Sequence, residues 1–242
     1  MSDRAIPIVA LDVPSAAEAM ALVRSLGGKC GFYKVGSELF VSEGPSIVHT
    51  LRDEAGVDVF LDLKLHDIPN TVAGAVRSAA ALGVRLLTVH ASGGRAMLAA
   101  AQDAAGEGCG VLGVTVLTSL DDESLGAAWG RGNVDVPAEV ERLAADAAAA
   151  GLHGIVCSGA EAAAVSARFG KRLALLVPGI RLVGGAAHDQ RRVVTPAAAQ
   201  AAGARYVVVG RAVTAARDPR AAMEQVLADL AGGGVPGGRE RG

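Results

Sequence analysis

The chain has 242 residues, of which 51% are hydrophobic and 20% are charged, a composition typical of a soluble globular protein with a large core. Its formal net charge of −2 and its lack of a basic block do not favour nucleic-acid or membrane-surface binding. No apolar run approaches the roughly 20 residues of a membrane span, and a strand is predicted almost at once after Met1, which disfavours a signal peptide.

The cysteines have neither an even count nor the spacing of a metal site. They are Cys30, Cys109 and Cys157. We therefore expect buried free thiols, a reducing compartment and a cytoplasmic protein.

Apolar runs and helical periodicities alternate along the chain. The predicted strands span residues 6–13, 32–36, 57–61, 85–90, 111–117, 154–157, 173–177 and 206–209. The predicted helices span residues 15–26, 44–55, 70–82, 95–105, 121–127, 136–150, 161–169, 196–202 and 219–231. Alternating strands and helices indicate a parallel sheet, and eight strands can close an α/β fold of the (β/α)8 TIM-barrel type.

We expect one barrel domain over residues 1–231 and a disordered Gly-rich tail over residues 232–242. The alternative architecture is an open doubly wound sheet. It is less favoured because polar residues follow most of the strands, whereas an open sheet would gather them at one switch point.

The stretch 62–71, DLKLHDIPNT, carries the strongest chemical signal. Asp62 and Lys64 follow an apolar strand, and side-chain alternation places both on one face. Asp67 follows in a loop, and Pro69 suits the first turn of the next helix. Charges emerging from an apolar strand are costly unless they have a function. We interpret the stretch as a cation held between two carboxylates; the alternative is a solvated salt-bridge cluster.

In a barrel of this kind the C-terminal ends of the strands carry the active site. The polar residues near those ends are Asp12, Lys34, Asp62, Lys64, Asp67, His90, Thr118, Ser119, Arg181 and Arg211. Alternating charges at contact distance keep the lysines protonated, which favours a cationic acid over a lysine nucleophile. His66 and His90 fit packed histidines better than proton-transfer groups. Thr118 and Ser119 could contact a ligand or cap the next helix.

The eighth strand ends in Gly210 and Arg211, where barrels often bind phosphate through backbone N–H groups and a guanidinium. An ordinary turn is the alternative. The neighbouring segment 183–188, flanked by Arg181 and Gln190, is interpreted as a mobile lid over that site, with a passive loop as the alternative.

Neither a metal nor a dinucleotide is indicated by the sequence. No His, Asp and Glu cluster has metal-ligand spacing, and lysines stand where a divalent ion needs oxygen donors. The glycines at 184–185 lack the dinucleotide pattern. The residues alone therefore predict a cofactor-free reaction on a phosphorylated substrate.

Several short motifs occur in one order from the first strand to the eighth. They are ALD at 10–12, YKVG at 33–36, DLKLHDIPNT at 62–71, LTS at 117–119, PGIR at 178–181, DQ at 189–190, TP at 195–196 and VGR at 209–211. In these motifs the sequence resembles the orotidine 5′-monophosphate decarboxylase family. The resemblance implies a carboxy-lyase that forms UMP in the last step of de novo pyrimidine nucleotide synthesis, without a cofactor.

The resemblance also implies residue roles. Lys64 would protonate C6 of the pyrimidine, Asp62 would lie beside the departing carboxylate, and Lys34 with Asp67 would complete a charged tetrad. Further substrate contacts are implied for Asp12, Lys34, Asp62, Thr71, Thr118, Ser119, Pro178, Arg181, Gln190, Gly210 and Arg211, with Arg181, Gln190, Gly210 and Arg211 at the phosphate. A homodimer is implied, in which Asp67 and Thr71 reach the neighbouring subunit's site.

Two other functions compete with this one. Mg²⁺-dependent sugar-phosphate decarboxylases and aldolases share the barrel and an Asp-x-Lys-x-x-Asp stretch, but usually have an acidic residue where Lys34 stands. A non-catalytic sensor of phosphorylated ligands would predict an eroded tetrad, whereas all its members are present.

Overall fold

The structure, a computed structural model, describes residues 4–182 and 194–232. In that part of the chain eight parallel strands form a closed barrel in sequence order. The strands are β1 (Ile6–Leu11), β2 (Phe32–Gly36), β3 (Asp58–Leu65), β4 (Leu86–His90), β5 (Gly110–Val114), β6 (Gly154–Val156), β7 (Ala174–Val177) and β8 (Ala204–Val209). Pairing of β1 with β8, from Ile6 beside Tyr206 to Val9 beside Val209, closes the sheet. The predicted (β/α)8 barrel is confirmed, and the open sheet is wrong.

Helices follow the strands around the outside of the barrel. They are α1 (Ala16–Ser25), α2 (Ser37–Glu43), α3 (Ser46–His49), α4 (Pro69–Ala81), α5 (Arg95–Ala105), α6 (Asp122–Trp129), α7 (Val136–Ala149), α8 (Ala162–Phe169), α9 (Pro196–Ala201), α10 (Arg211–Thr214) and α11 (Pro219–Gly232). A π-helical turn (Thr50–Glu54) continues α3, and a 3₁₀ turn (Ala91–Gly93) follows β4.

The predicted boundaries fail where elements are short or polar. Two short helices, α2 and α10, were not predicted, because one or two turns contain too few residues to show a helical period. Strand β3 continues through the charged residues to Leu65, four residues beyond its predicted end. Strand β5 ends at Val114, before the predicted end at Leu117. Apolarity alone therefore ends β3 too early, at its charged residues, and extends β5 too far into the loop that follows it.

The barrel interior has an apolar lower layer and a polar mouth. The inward apolar cluster comprises Ile8, Ala10, Phe32, Phe60, Leu86, Leu112, Leu176 and Val208. Alternate residues of a strand share a face, so the next inward positions are Lys34 after Phe32, Asp62 after Phe60, and Thr88 after Leu86. The apolar layer therefore closes the floor beneath a group of charged and polar side chains.

The cysteines are free and buried, as expected. Burial raises the pKa of the Cys30 thiol, that of Cys109 to about 11, and that of Cys157 to about 12. None of the helices described for this chain is long and apolar enough to cross a membrane.

Parts of the predicted lid and tail fall outside the described residues. The lid segment 183–188 and Gln190 lie there, as do residues 233–242 of the predicted tail. Gly232, which was assigned to the tail, is the last residue of α11.

Candidate active site

A cavity of about 290 Å³ opens at the C-terminal ends of the strands. The predicted site residues that line it are Asp12, Lys34, Asp62, Lys64, Thr118, Pro178, Arg181, Gly210 and Arg211. A wider depression of about 870 Å³ lies at the opposite end of the barrel, beside Cys30, Arg85 and His153. In this fold the N-terminal end contributes to stability and the C-terminal end to chemistry, so the smaller cavity is the candidate site.

Lys34 is a buried lysine at an inward position of β2. It is 9% exposed, and its Nζ donates to Asp12 Oδ1 at 2.8 Å. The same Nζ lies 3.7 Å from Asp62 Oδ2. A buried ammonium needs such partners to offset its desolvation. Lys34 is therefore held between carboxylates from β3 and from the loop after β1.

Lys64 pairs with the same carboxylate from the other side. Its Nζ lies 2.9 Å from both Asp62 oxygens, and its side chain is 38% exposed against 13% for Asp62. Within one chain the arrangement is therefore one carboxylate between two ammonium groups. The more exposed ammonium, that of Lys64, faces the cavity and can reach a ligand.

The backbone at Lys64 has a conformation that β-strands do not adopt. Its φ is +52°, in the left-handed region that non-glycine residues rarely occupy. The register between β3 and β4 shifts between Leu61 and Leu65 at this point. Simple alternation along a strand, used in the sequence analysis, is therefore not what places Asp62 and Lys64 together. A strained, irregular turn of the strand places them.

Thr88 on β4 was missed by the sequence analysis. It is 0% exposed, and its Oγ1 donates to Asp62 Oδ1 at 2.9 Å. The same oxygen accepts the backbone N–H of Lys64 at 2.9 Å. A count by twos along β4 from the inward Leu86 would have identified Thr88 as facing the barrel interior.

Gly36, at the end of β2, leaves room for the Lys34 ammonium. A Cβ at this position would lie 2.9 Å from Lys34 Nζ and 3.3 Å from Asp12 Oδ1. Both distances are shorter than ordinary van der Waals contact. A side chain here would therefore displace the Lys34–Asp12 pair.

The far side of the cavity is basic. Arg181 Nη1 donates to the Ile180 carbonyl at 2.9 Å, while its buried Nε finds no hydrogen-bond acceptor among the residues described. Gly179, with φ +77°, turns the chain into this position. Arg211 begins α10 directly after Gly210, at the end of the neighbouring strand β8. Two guanidinium groups therefore flank one side of the cavity.

The described residues on either side of segment 183–193 are paired with each other beside the two arginines. The Arg181 N–H donates to the Val194 carbonyl at 3.0 Å, and Ile180 bridges Val194 in parallel. Both ends of the undescribed segment are thus attached next to the cavity. Gln190 falls within that segment, so its predicted phosphate contact remains a prediction.

Three predicted site residues lie outside the cavity of their own chain. Ser119 is exposed in the turn that contains Thr118. Thr71 is exposed in the first turn of α4. Asp67 is also exposed, and its Oδ1 accepts the Ile68 N–H at 2.6 Å. In this chain the carboxylate of Asp67 therefore does not complete the group around Lys64.

His66 and His90 have ring centroids 5.4 Å apart beside the charged group. Burial lowers the pKa of His90, electrostatic interaction with His66 and Lys64 lowers it further, and Asp62 opposes them. The half-buried His90 fits the predicted packed histidine, whereas His66 is exposed, so that prediction is wrong for His66.

Within residues 4–182 and 194–232, no three His, Cys, Asp or Glu side chains are grouped so that they could share a metal ion. The ionic groups at the mouth are instead lysines and aspartates in contact.

A (β/α)8 barrel with paired lysines and aspartates at its C-terminal mouth, and arginines at one side, defines an enzyme that acts on a small anionic molecule. Residues 6–226 match the family described as Orotidine 5'-phosphate decarboxylase / HUMPS, and the chain belongs to that family.

Individual relatives agree with the family match. A protein of Halorhodospira halophila named orotidine 5'-phosphate decarboxylase is 51% identical over 231 residues, covering 94% of this chain and 96% of the relative. One of the same name from Anaeromyxobacter sp. is 52% identical over 221 residues, covering 91% and 96%. The crystal structure of orotidine 5'-phosphate decarboxylase from Lactobacillus acidophilus superposes with a TM-score of 0.82 at 34% identity, covering 94% and 99%.

Proposed function

We propose that the chain is a carboxy-lyase that converts orotidine 5′-monophosphate to uridine 5′-monophosphate and CO₂, the last step of de novo pyrimidine nucleotide synthesis. The observation that carries the proposal is the Asp62 carboxylate held between Lys64 and Lys34 at the floor of an arginine-flanked cavity. Relatives with 51% and 52% identity over nearly the whole chain carry the name of this activity.

The difficulty of the reaction lies in the charge left at C6. Loss of CO₂ leaves an electron pair that the ring cannot delocalise well, so catalysis requires on the order of 20 kcal/mol of stabilisation. An ammonium fixed near C6 before the reaction stabilises this negative charge without further reorganisation. Lys64 is the ammonium with the exposed side chain, and Asp62 fixes its position at 2.9 Å.

Lys64 then provides the proton. Transfer from Lys64 Nζ to C6 forms the C–H bond of the product and leaves a neutral amine, which regains its proton from water. No cofactor is needed to accept electrons, because the pair released by the C–C bond ends in the new C–H bond. Lys34, 9% exposed and paired to Asp12, is better suited to holding the ribose and the charge balance than to proton donation.

The basic side of the cavity suits the phosphate. Among the described residues the buried Nε–H of Arg181 has no acceptor. Such a group costs roughly 1–3 kcal/mol, and an anion beside it would remove that cost. Arg211 can add a bidentate contact. We propose that Gly210 and Gln190 also contact the phosphate. Thr118 would contact the nucleoside, and Pro178 would contact the substrate. Remote phosphate binding energy can then hold the substrate in its reactive geometry.

We also propose a cytoplasmic homodimer in which Asp67 and Thr71 serve the neighbouring subunit's site. Both residues are exposed beside the mouth, at the start of α4. Ile68, between them, is 66% exposed. Contact between two subunits at this position would remove the Ile68 side chain from water. A twofold axis would place the same patch of each chain against its partner.

The alternative is a Mg²⁺-dependent decarboxylase or aldolase of sugar phosphates. It is less favoured because the Lys34 ammonium lies 2.8 Å from Asp12 and 3.7 Å from Asp62. A divalent ion bound to those carboxylates would meet that positive charge at contact distance.

The test is to incubate the purified protein with orotidine 5′-monophosphate and a chelator, and to follow the orotate absorbance. Steady loss of absorbance that the chelator does not slow supports the proposal. A stable absorbance, together with chelator-sensitive turnover of a pentulose or hexulose phosphate, would support the alternative. Orotidine without its phosphate is the control, and it should react far more slowly because the two arginines then hold nothing.

A further inference from the structure

The hydroxyl of Thr88 joins the two residues at the centre of the site. It lies 2.9 Å from Asp62 Oδ1 and 2.9 Å from the backbone nitrogen of Lys64. Thr88 is fully buried, and it lies beneath Asp62 and Lys64 without lining the cavity. It can therefore act on the reaction only through these neighbours.

The direction of both hydrogen bonds follows from the groups involved. A backbone N–H can only donate, so the Thr88 oxygen accepts from Lys64. The single hydroxyl proton is then free for Asp62, and an ionised carboxylate can only accept. The Thr88 side chain thus fixes both the Asp62 carboxylate and the backbone of Lys64. The same carboxylate positions the Lys64 ammonium.

The backbone bond lies at the strained residue. Lys64 has φ +52° where β3 and β4 lose register, so β4 cannot pair with it in the regular way. Its N–H would be unsatisfied without the Thr88 oxygen, and strained conformations persist only where surrounding contacts fix them. The Thr88 hydroxyl replaces the missing ladder hydrogen bond.

We propose that Thr88 is a positioning residue that fixes the Lys64 ammonium for proton transfer through these two hydrogen bonds. The inference rests on the proposed decarboxylase function. As Lys64 gives its proton to C6 it ceases to be a cationic partner of Asp62, and the Thr88 hydroxyl remains bonded to that carboxylate. The role is thus required in the reaction and not in nucleotide binding.

The test compares Thr88→Val, which keeps the branched shape, with Thr88→Ser, which keeps the hydroxyl. We expect Thr88→Val to lower kcat by about 10- to 100-fold, the size of a lost hydrogen bond to a charged group. The KM and the affinity for UMP should change by less than about threefold, because Thr88 does not contribute to binding of the nucleotide in its ground state. Thr88→Ser should stay within about threefold of the parent kcat.

Thr115→Val is the matched control for loss of a buried hydroxyl. Thr115 is 4% exposed, and its hydroxyl proton is donated to the Val156 carbonyl at 2.8 Å. Its kcat should remain at the parent value even if its stability falls. An equal loss of kcat in Thr115→Val would mean that Thr88 acts through stability alone and would overturn the proposal.

Other outcomes separate this inference from the proposed function. If the parent does not decarboxylate the nucleotide, the proposed function fails. If the parent is active and Thr88→Val matches it, or changes only KM, the positioning role alone fails. If Thr88→Val does not fold, Thr88→Ser decides, because a loss of kcat of about tenfold or more in a variant that keeps the hydroxyl would exclude the role.

Discussion

Gly36 shows how one hydrogen atom in place of a side chain positions an ammonium group. A Cβ at this residue would lie 2.9 Å from Lys34 Nζ. The clash involves the flexible tip of a lysine, so the chain can relieve it at little cost to stability by moving the ammonium. Such a movement would disturb the ion pair between Lys34 Nζ and Asp12 Oδ1, which are 2.8 Å apart.

We therefore expect Gly36→Ala to lower kcat/KM by about tenfold to a hundredfold, since a shift of about 1 Å can have that effect. The midpoint of thermal unfolding should change little. Gly31→Ala is the control, because a Cβ there meets nothing within 4 Å. Full activity in Gly36→Ala, or an equal loss in Gly31→Ala, would show that this space is not needed.

Residue chemistry predicted most of the site, and backbone geometry could not be predicted. The order of Asp62, Lys64, Arg181 and Arg211 after buried strands indicated a charged mouth, and the structure brings all four to one cavity. The contribution of Thr88 depends on the register shift between β3 and β4, which involves residues more than twenty positions apart. No local pattern in the sequence reports such a shift.

Among the elements, α7 is attached to the segment before it through Glu139. Its side chain is 9% exposed, and it lies 2.7 Å from Arg131 Nη1 and 2.7 Å from Arg142 Nε. Burial alone would raise the pKa of Glu139, but the hydrogen bonds and charges of Arg142 and Arg131 outweigh it and lower the pKa. The carboxylate is therefore more stable in the folded protein than in the unfolded chain.

We expect Glu139→Gln to lower the free energy of unfolding by about 1–2 kcal/mol near neutral pH, as expected for charged hydrogen bonds. A carboxyl with a lowered folded pKa contributes fully above its ordinary value of 4.5, and loses that contribution as the pH falls through the lower folded value. The difference between parent and variant should thus shrink on acidification. Urea unfolding of parent and variant at about pH 7 and about pH 3.5 measures the loss of stability and its decrease with pH.

Glu224→Gln, on α11, is the control. Glu224 is an exposed carboxylate that pairs with Lys29 on the surface at 3.0 Å, where ion pairs contribute little. It should leave the unfolding curve unchanged. A difference for Glu139→Gln that stays constant with pH would contradict the role of its ionised form.

Elements with a clear hydrophobic pattern were predicted well, and two short helices beside the site were not. The helix α5 (Arg95–Ala105) and the strand β2 (Phe32–Gly36) match their predicted bounds, because helical periodicity marks α5 and an apolar run interrupted only by Lys34 marks β2. The elements next to the site, α2 and α10, are only seven and four residues long. Their positions follow from the barrel to which they are attached and are not evident from their own sequences.

For the whole molecule, strand count predicted the closed barrel, because eight strand–helix units leave one common arrangement. The assembly cannot be inferred from the fold of one chain. Asp67 and Thr71 lie outside their own cavity, and this is the structural reason to propose a site shared between two subunits.

Mixing two inactive variants tests that proposal. In a dimer of Lys64→Ala with Asp67→Ala, one site combines Lys64 of one chain with Asp67 of the other and is complete. Random exchange makes half of the dimers mixed, so activity should return to about a quarter of the parent value. Subunit exchange verified by two differently tagged chains, without any return of activity, would contradict a shared site.

The central claim is that the Lys64 ammonium stabilises and then protonates the carbanion, and Lys64→Ala tests it most directly when turnover and UMP affinity are measured on the same sample. The account predicts a loss of turnover of at least about 10⁴-fold, with UMP bound nearly as tightly as by the parent. Lys29→Ala, which removes a lysine paired to Glu224 on the surface, should keep full turnover. Normal turnover in Lys64→Ala would contradict the account.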